Sequence, residues 1–151
     1  MDSLDLTLLG ELMKKGRSSW ADLAHKVSLS SPGLLDRIRR LEEKKIILGY
    51  RAIVSPDALG LNTTAFVSVS LDKPSHRSAF LKKIKTFTEV QECHRITGDF
   101  DFLLKIRCFQ TKDLDQLVNL GIKSLSGVSR TQTIIVMGTE KETTELPMPN
   151  I

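Results

Sequence analysis

The sequence predicts an α+β protein, in which a helical first third is followed by a region where strands and helices alternate. Up to about residue 45, apolar residues recur at the three- and four-residue spacing of helix faces. From residue 62 to residue 138, segments with the two-residue alternation of strands are separated by segments with helical spacing. The chain has 151 residues, of which 40% are hydrophobic and 26% are charged, as is typical of small folded domains.

The first two predicted helices are short and amphipathic. The apolar stripe of the first helix consists of Leu8, Leu9, Leu12 and Met13, and Gly16 is predicted to cap its C-terminal end. Ser19 is predicted to cap the second helix, with Asp22 three residues later as in a capping box. One face of this second helix is predicted to carry Trp20, Leu23, Ala24 and Val27.

A third helix is predicted from Ser31 to about Lys44, after a short polar turn. Pro32 suits its first turn, because the N–H groups there have no partner within a helix. The buried stripe is predicted to consist of Leu34, Leu35, Ile38 and Leu41. We expect Arg37 and Arg40 to lie one turn apart on the exposed face. Two helices joined by a tight turn and preceded by a third predict a helix-turn-helix (winged-helix-like) domain, whose second helix enters the DNA major groove.

The distribution of charge supports a nucleic-acid interface at this helix. The chain has a net charge of +4, and the stretch from Arg37 to Arg51 alone contains six basic residues against two glutamates. The positive N-terminal end of a helix favours phosphate, and arginines can contact phosphates or base edges. A basic helix face that is merely solvated remains the alternative. The predicted DNA-binding residues are Ser30, Ser31, Pro32, Gly33, Asp36, Arg37, Arg39 and Arg40.

The remainder of the chain predicts a linker, a second domain and a tail. Residues 46–54 have an extended pattern, and the predicted linker strand and hinge span residues 46–61. The second domain, residues 62–138, has predicted strands near 65–71, 90–97, 102–108 and 128–137, and helices over 75–87 and from a cap at Thr111. This order, with a turn at Gly98-Asp99, is that of the ferredoxin-like βαββαβ unit. The tail, residues 139–151, is predicted to be irregular.

The remaining reactive residues predict neither an enzyme nor a metal site. Cys93 and His94 are adjacent, so on a strand they point to opposite faces and cannot chelate a metal together. The sequence contains no nucleophile-elbow serine and no glycine-rich phosphate loop. It has no signal-peptide pattern and no apolar run long enough to cross a membrane. We therefore expect a cytoplasmic protein without cofactor or metal.

Several sequence blocks, taken in order, resemble the Lrp/AsnC family of leucine-responsive regulators over nearly the whole chain. The blocks lie at residues 4–5, 8–9, 15–17, 22–24, 29–31, 35–42, 46–50, 90–93, 97–102, 127–128 and 130–133. Two departures concern the third helix. The family commonly has glycine after this helix, where the chain has Lys45. The family also often has proline near the start of the helix, and here Pro32 stands beside Gly33.

The resemblance implies a transcriptional regulator that binds promoter DNA and forms dimers through its sheets, commonly assembled into octamers or related rings. It also implies an amino acid or similar effector held between dimers, near Gly98, Asp99, Phe100 and Asp101. Residue chemistry is compatible with this site, because loop N–H groups can hold a carboxylate and the aspartates can accept from an ammonium. Thr131 or Thr133 could supply a further hydroxyl, and Thr133 is the predicted contact, although threonines on strands are usually structural. A simple turn with a solvated Asp101 explains the same residues without a ligand.

Two other functions are compatible with this architecture. A group of haem-pathway decarboxylases resembles the family in overall architecture, so fold alone does not exclude an enzyme. The arginine-rich helix and the lack of a histidine cluster argue against that function. The other alternative is a ligand-binding assembly module that uses DNA little, and the complete N-terminal helical domain argues against it. In each case the unpaired sheet edges of a small domain predict an oligomer.

Overall fold

The computed structural model describes residues 1–149 and contains two compact units. The first unit comprises Met1–Ile53 together with the chain from residue 141 onward, and the second comprises Val54–Glu140. The first unit contains three helices, α1 (Ser3–Lys14), α2 (Trp20–Lys26) and α3 (Ser31–Glu43). The third predicted helix is thus confirmed to within one residue at its C-terminal end.

Side-chain caps define where the three helices begin. The carboxylate of Asp2 accepts a hydrogen bond from the N–H of Asp5 at 2.9 Å, and the carboxylate of Asp5 accepts one from the N–H of Asp2 at 3.0 Å. This reciprocal pair is a capping box. The predicted cap at Ser19 is confirmed, because its hydroxyl accepts from the N–H of Asp22 at 3.1 Å. Ser30 caps α3 in the same way.

Helix α3 ends without a glycine. Lys45 has a φ of 54°, in the left-handed region that L-residues rarely adopt. Its N–H donates to the carbonyl of Glu42 at 2.8 Å, and the N–H of Ile46 donates to the carbonyl of Leu41 at 2.9 Å. These two bonds form a Schellman motif, in which glycine is the usual residue at the position of Lys45.

Helix α2 ends in the same way, inside the turn that leads to α3. Ser28 has a φ of 53°. Its N–H donates to the carbonyl of His25 at 3.2 Å, and the N–H of Leu29 donates to the carbonyl of Ala24 at 2.9 Å. The tight turn of the helix-turn-helix is therefore built from a second Schellman motif with a non-glycine residue at its left-handed position.

The core of the first unit confirms most of the predicted apolar stripes. Its buried residues are Leu8, Leu23, Ala24, Val27, Leu34, Ile38 and Leu41. Leu35 was wrongly placed among them and is 46% exposed, because it lies about 100° around the helix from Leu34, which already faces the core. Trp20 is also exposed. Gly16 is not the cap of α1, since the N–H of Lys15 makes the capping bond to Glu11.

The predicted linking strand is not present. Residues 46–61 contain only a 3₁₀ turn at Asp57–Leu59, and the described part of the first unit contains no strand and thus no β wing. A strand needs a neighbouring strand to satisfy its N–H and C=O groups, and no strand among residues 1–149 pairs with residues 46–54. Leu48 is consequently 88% exposed and Ile53 86% exposed.

The second unit has the predicted βαββαβ order. Its elements are β1 (Thr63–Leu71), α4 (Arg77–Ile84), β2 (Val90–Arg95), β3 (Phe102–Cys108), α5 (Thr111–Gln116) and β4 (Val128–Ile135). A 3₁₀ turn, Pro74–His76, leads into α4, and a π-helical turn, Leu117–Ile122, continues α5. The sheet order is β2-β3-β1-β4, and every neighbouring pair is antiparallel. The ferredoxin-like prediction is thus confirmed.

The helices cover one face of this sheet. The buried core consists of Ala65, Val67, Val69, Phe80, Ile84, Phe102, Leu104, Ile106, Cys108, Leu114, Val118 and Ile122. Helix α4 ends at Ile84, short of the predicted end at Phe87, although Phe87 still packs against the core. Thr111 was wrongly predicted as a cap. Gln110 occupies that position, and Asp113 completes the capping box with it.

The two cysteines are protected by the fold. Burial raises the pKa of both thiols, that of Cys108 to about 11, so both are protonated at neutral pH. Across residues 1–149, no three His, Cys, Asp or Glu side chains come together as a potential metal site. In the same part of the chain, every helix is too short or too polar to span a bilayer.

Candidate DNA interface and effector loop

The exposed face of α3 carries a network of opposite charges. The two carboxylate oxygens of Asp36 pair separately with Arg39, at 3.1 Å, and with Arg40, at 3.2 Å. Arg39 also lies 3.7 Å from Glu43. All of these side chains are exposed, and exposed pairs of this kind contribute only about 0.3–0.5 kcal/mol. The two arginines are therefore held loosely and remain accessible to an anionic partner.

Arg37 was wrongly predicted to share this exposed face. One of its guanidinium nitrogens donates to Asp2 and to Asp5, at 2.7 Å each, and its side chain is only 22% exposed. The two carboxylates at the start of α1 draw Arg37 towards that helix. Here we call these three residues the Arg37 clamp. The Asp5 N–H and the Arg37 guanidinium hold the pKa of Asp2 below its ordinary value.

A polar cleft of about 320 Å³ lies beside the Arg37 clamp. Its walls include Arg40 and Lys44 from the C-terminal half of α3 and its cap, together with the clamp residues. Sequence reasoning missed both the cleft and the clamp. Asp5 and Arg37 are 32 positions apart, and no local spacing rule connects them.

The predicted residues at the start of α3 lie together. Ser30, Ser31 and Pro32 are exposed, and Gly33 is partly buried. A Cβ atom on Gly33 would lie 3.2 Å from the Ser30 hydroxyl, which accepts the Gly33 N–H at 3.3 Å. Glycine at this position therefore leaves room for the cap. The exposed surface formed by this first turn and by Asp36, Arg39 and Arg40 is continuous along one side of α3.

The loop between β2 and β3 is fixed to the C-terminal end of β1. The N–H of Asp101 donates to the carbonyl of Val69 at 3.0 Å, and its carboxylate accepts from the N–H of Leu71 at 2.8 Å. The hydroxyl of Ser70 donates to the carbonyl of Asp99 at 3.3 Å. Asp101 was predicted as either a ligand contact or a solvated residue. One oxygen of its carboxylate instead accepts a backbone hydrogen bond at the end of β1.

The outer side of this loop presents polar groups without protein partners. Within residues 1–149, the carboxylate of Asp99 and the N–H groups of Gly98 and Phe100 make no hydrogen bond. Gly98 has a φ of 108°, which favours glycine. The ring of Phe100 lies against Arg130, whose guanidinium carbon is 4.6 Å from the ring centre. The sequence did not identify Arg130 as a site residue, because no sequence motif indicates a contact between an arginine on one strand and a phenylalanine in a distant loop.

Thr133 does not join the loop within one chain. Strand β4 pairs Thr133 with Val67, whereas the loop is attached at Val69 to Leu71. Each residue of a strand advances about 3.3 Å, so Thr133 and the loop attachment are separated by roughly 7–13 Å along the sheet. Gly98, Asp99, Phe100 and Asp101 are therefore brought together, and Thr133 is not.

Two family models match the two units of this chain. One is described as the AsnC-type helix-turn-helix domain and matches residues 1–42, and the other is the Lrp/AsnC ligand binding domain and matches residues 64–146. The leucine-responsive regulatory protein of Haemophilus influenzae is 37% identical over 145 residues, which cover 95% of this chain and 87% of that protein. The protein of the same name from Escherichia coli is 36% identical over 148 residues, covering 97% and 90%.

Solved structures with a similar fold include transcriptional regulators. A transcriptional regulator of Neisseria meningitidis, in complex with L-methionine, superposes with a TM-score of 0.93 at 30% identity, covering 97% of this chain and 96% of that one. Escherichia coli AsnC superposes with a TM-score of 0.90 at 27% identity, covering 97% and 99%. The resemblance inferred from the sequence blocks is thus confirmed, and the chain belongs to the Lrp/AsnC family of transcriptional regulators.

Proposed function

We propose that this protein is a sequence-specific DNA-binding transcriptional regulator whose action is modulated by an amino acid. It works in the cytoplasm as a homo-oligomer on promoter DNA and catalyses no reaction. Residues 1–45 bind DNA, residues 46–61 link the domains, residues 62–138 sense the effector and assemble the oligomer, and residues 139–151 form the tail. The observation that carries the proposal is the exposed, arginine-bearing face of α3 directly after a tight interhelical turn.

The DNA-binding surface consists of the first turn of α3 and the side chains of Asp36, Arg39 and Arg40. Ser31 and Pro32 are exposed at the helix N-terminus, where the helix dipole favours phosphate. Arg39 and Arg40 are long enough to reach phosphates or the acceptor edge of guanine. Arg37 contributes by holding α1 against α3, because its guanidinium is already engaged by two carboxylates.

The effector is proposed to bind at the loop of Gly98, Asp99, Phe100 and Asp101, which we call the effector loop. The N–H groups of Gly98 and Phe100 suit a ligand carboxylate, and the carboxylate of Asp99 suits a ligand ammonium, because none of these groups makes a hydrogen bond within residues 1–149. The methionine complexes of the Neisseria meningitidis regulator and of the feast or famine regulatory protein of Mycobacterium tuberculosis support an amino acid as the ligand. Thr133 is retained as a contact that a second protomer would bring to this loop.

Dimers are proposed to form through the sheet face that the helices leave open. The strand registers place Phe66, Leu103 and Ile134 on this face, opposite the core residues, and Ile134 is exposed. Covering these apolar side chains with a second sheet would stabilise the pair by the hydrophobic effect. Octamers or related rings would then place loops of neighbouring dimers together, and sedimentation analysis measures the assembly directly.

DNA binding is tested with a duplex selected by the protein from a random-sequence library. Fluorescence anisotropy at increasing salt would compare the wild type with Arg40→Ala and with Lys82→Ala, which removes an exposed charge from α4 as a control. We expect Arg40→Ala to weaken binding and to reduce the slope of log K against log salt by about 1 per protomer. Lys82→Ala should change neither quantity.

Folding of the α3 variants is checked through the fluorescence of Trp20, the only tryptophan of the chain, which lies in α2, and folding of Lys82→Ala is checked by circular dichroism. The double variant Arg39→Ala/Arg40→Ala should lose most of its affinity while its unfolding transition remains in place. If this double variant bound both the selected and a scrambled duplex as tightly as the wild type does, α3 would not be the DNA-reading helix and the proposal would be wrong.

A further inference from the structure

The proposed function leaves the chemical class of the amino acid open, and Arg130 bears on it. We infer that the effector loop selects a dicarboxylic α-amino acid, with Arg130 as the receptor for the second carboxylate. This inference rests on the proposed function, because it assigns a ligand class to the same loop. It is carried by two charged groups near this loop: the Arg130 guanidinium, which contacts the Phe100 ring but no carboxylate or carbonyl of the described residues, and the Asp99 carboxylate, which makes no hydrogen bond there.

Arg130 is arranged as an anion receptor. Its guanidinium lies over the ring of Phe100, with the central carbon 4.6 Å from the ring centre. Contact with an aromatic ring does not use all five N–H donors of a guanidinium, so Arg130 can still donate to an anion. Among the residues that the structure describes, no carboxylate or carbonyl accepts from Arg130. The aromatic ring also restricts the side chain, so little conformational entropy is lost when an anion binds.

Ser70 connects Arg130 to the loop that carries Asp99. Arg130 is the partner of Ser70 in the β1–β4 register. The same Ser70 donates its hydroxyl to the carbonyl of Asp99 at 3.3 Å, and its own carbonyl accepts from the Ser129 hydroxyl at 3.1 Å. One serine therefore connects the strand that carries the free cation with the loop that carries the free anion.

The three unpartnered features of the loop match the three charged groups of a dicarboxylic amino acid. The N–H groups of Gly98 and Phe100 suit the α-carboxylate, Asp99 suits the ammonium, and Arg130 suits the carboxylate of the ligand side chain. An amino acid with a neutral side chain would use the first two features only. It would leave the Arg130 guanidinium in water and would gain no charge-assisted hydrogen bond from it.

The test is isothermal titration of the full-length protein with five L-amino acids: glutamate, aspartate, glutamine, asparagine and methionine. We expect at least one acid to bind about 10- to 100-fold more tightly than its own amide, as the loss of one charged hydrogen bond predicts. Arg130→Gln should abolish this preference, and Phe100→Leu should weaken it. Lys112→Gln removes an exposed charge from the first turn of α5 and should leave the preference intact.

The possible results separate this inference from the proposed function. If methionine or an amide bound as tightly as the acids, or if Arg130→Gln kept the preference, the assigned ligand class would be wrong while amino-acid sensing would stand. If the folded wild type bound none of the five, both the ligand class and the sensing of these amino acids would be refuted. Circular dichroism confirms that the Arg130 variant is folded, as its exposed position on the edge strand β4 predicts.

Discussion

Lys45 has a strained backbone conformation, which lowers the stability of the helical unit. An L-residue in the left-handed region is disfavoured by about 1–2 kcal/mol, and Lys45, with a φ of 54°, occupies this region at the end of α3. Glycine escapes that penalty but loses about 0.5–1 kcal/mol more conformational entropy than alanine on folding. Lys45→Gly should therefore be about 0.5–1 kcal/mol more stable than Lys45→Ala.

Alanine is the necessary reference, because both substitutions remove the same charge. A lysine near a helix C-terminus contributes about 0.3–1 kcal/mol through the helix dipole, so Lys45→Ala should be slightly less stable than the wild type. Lys45→Gly recovers this free energy of unfolding, because glycine adopts the left-handed conformation without strain. The Schellman bonds that fix the conformation, from Lys45 to Glu42 and from Ile46 to Leu41, involve backbone atoms only and persist in both variants.

The assay is thermal unfolding followed by the fluorescence of Trp20, the only tryptophan, which reports on the helical unit alone. The expected difference of about 0.5–1 kcal/mol corresponds to about 2–8 °C in Tm between the glycine and alanine variants of a small domain. A Lys45→Ala protein as stable as Lys45→Gly, or more stable, would refute the left-handed assignment and the strain derived from it.

Two further predictions concern Tyr50 and Gly127. Tyr50, the only tyrosine, donates its hydroxyl to Glu42 at 3.0 Å, and desolvation with this bond raises its pKa to about 12. The hydrogen bond stabilises the fold fully below pH 10.0, the ordinary pKa of tyrosine, and this stabilisation is lost as the pH rises to about 12. Ultraviolet titration should show the raised pKa of Tyr50. The substitution Glu42→Gln should lower this pKa. In Gly127→Ala the new Cβ would lie 2.3 Å from a ring nitrogen of His76, at a φ of 86°. Melting followed by circular dichroism should show a loss above about 1 kcal/mol, whereas Gly138→Ala, which meets no atom within 4 Å, should be neutral.

Features encoded by neighbouring residues were predictable from the sequence. The cap at Ser19, the start of α3 at Ser31 and the alternation of Phe102 with Leu104 each depend on residues fewer than five positions apart. These local rules determine where elements begin and which side is apolar. They do not determine how wide the buried side is, and Leu35 shows this limit, because an apolar residue beside a complete stripe has no room in the core.

Features that depend on distant residues were not predictable. The Arg37 clamp joins the first and third helices, and the contact of Arg130 with Phe100 joins a strand to a loop. Neither pair has a spacing that a single sequence reveals. The linking segment is a different case. Its sequence pattern predicts an extended segment, but a strand also requires a neighbouring strand, and none of the described residues 1–149 pairs with residues 46–54.

The Arg37 clamp also changes how the charge of α3 is interpreted. Counting basic residues from Arg37 onward suggests a strongly positive helix face. In the structure, Arg37 is compensated by two carboxylates of α1, and Asp36 lies between Arg39 and Arg40 on the exposed side. With Glu43 beside Arg39, the exposed network is close to neutral.

The network alone gives little general attraction to phosphate, which is the main source of non-specific DNA binding, so the exposed Lys44 and Lys45 at the end of α3 add to that attraction. Contacts of Arg39 and Arg40 with DNA would form once these side chains leave Asp36. Such contacts are few on one helix, and the linking of two units in a dimer raises the affinity by making the second contact intramolecular. The proposed assembly through the second unit would therefore raise the affinity of this chain for DNA by linking two α3 helices.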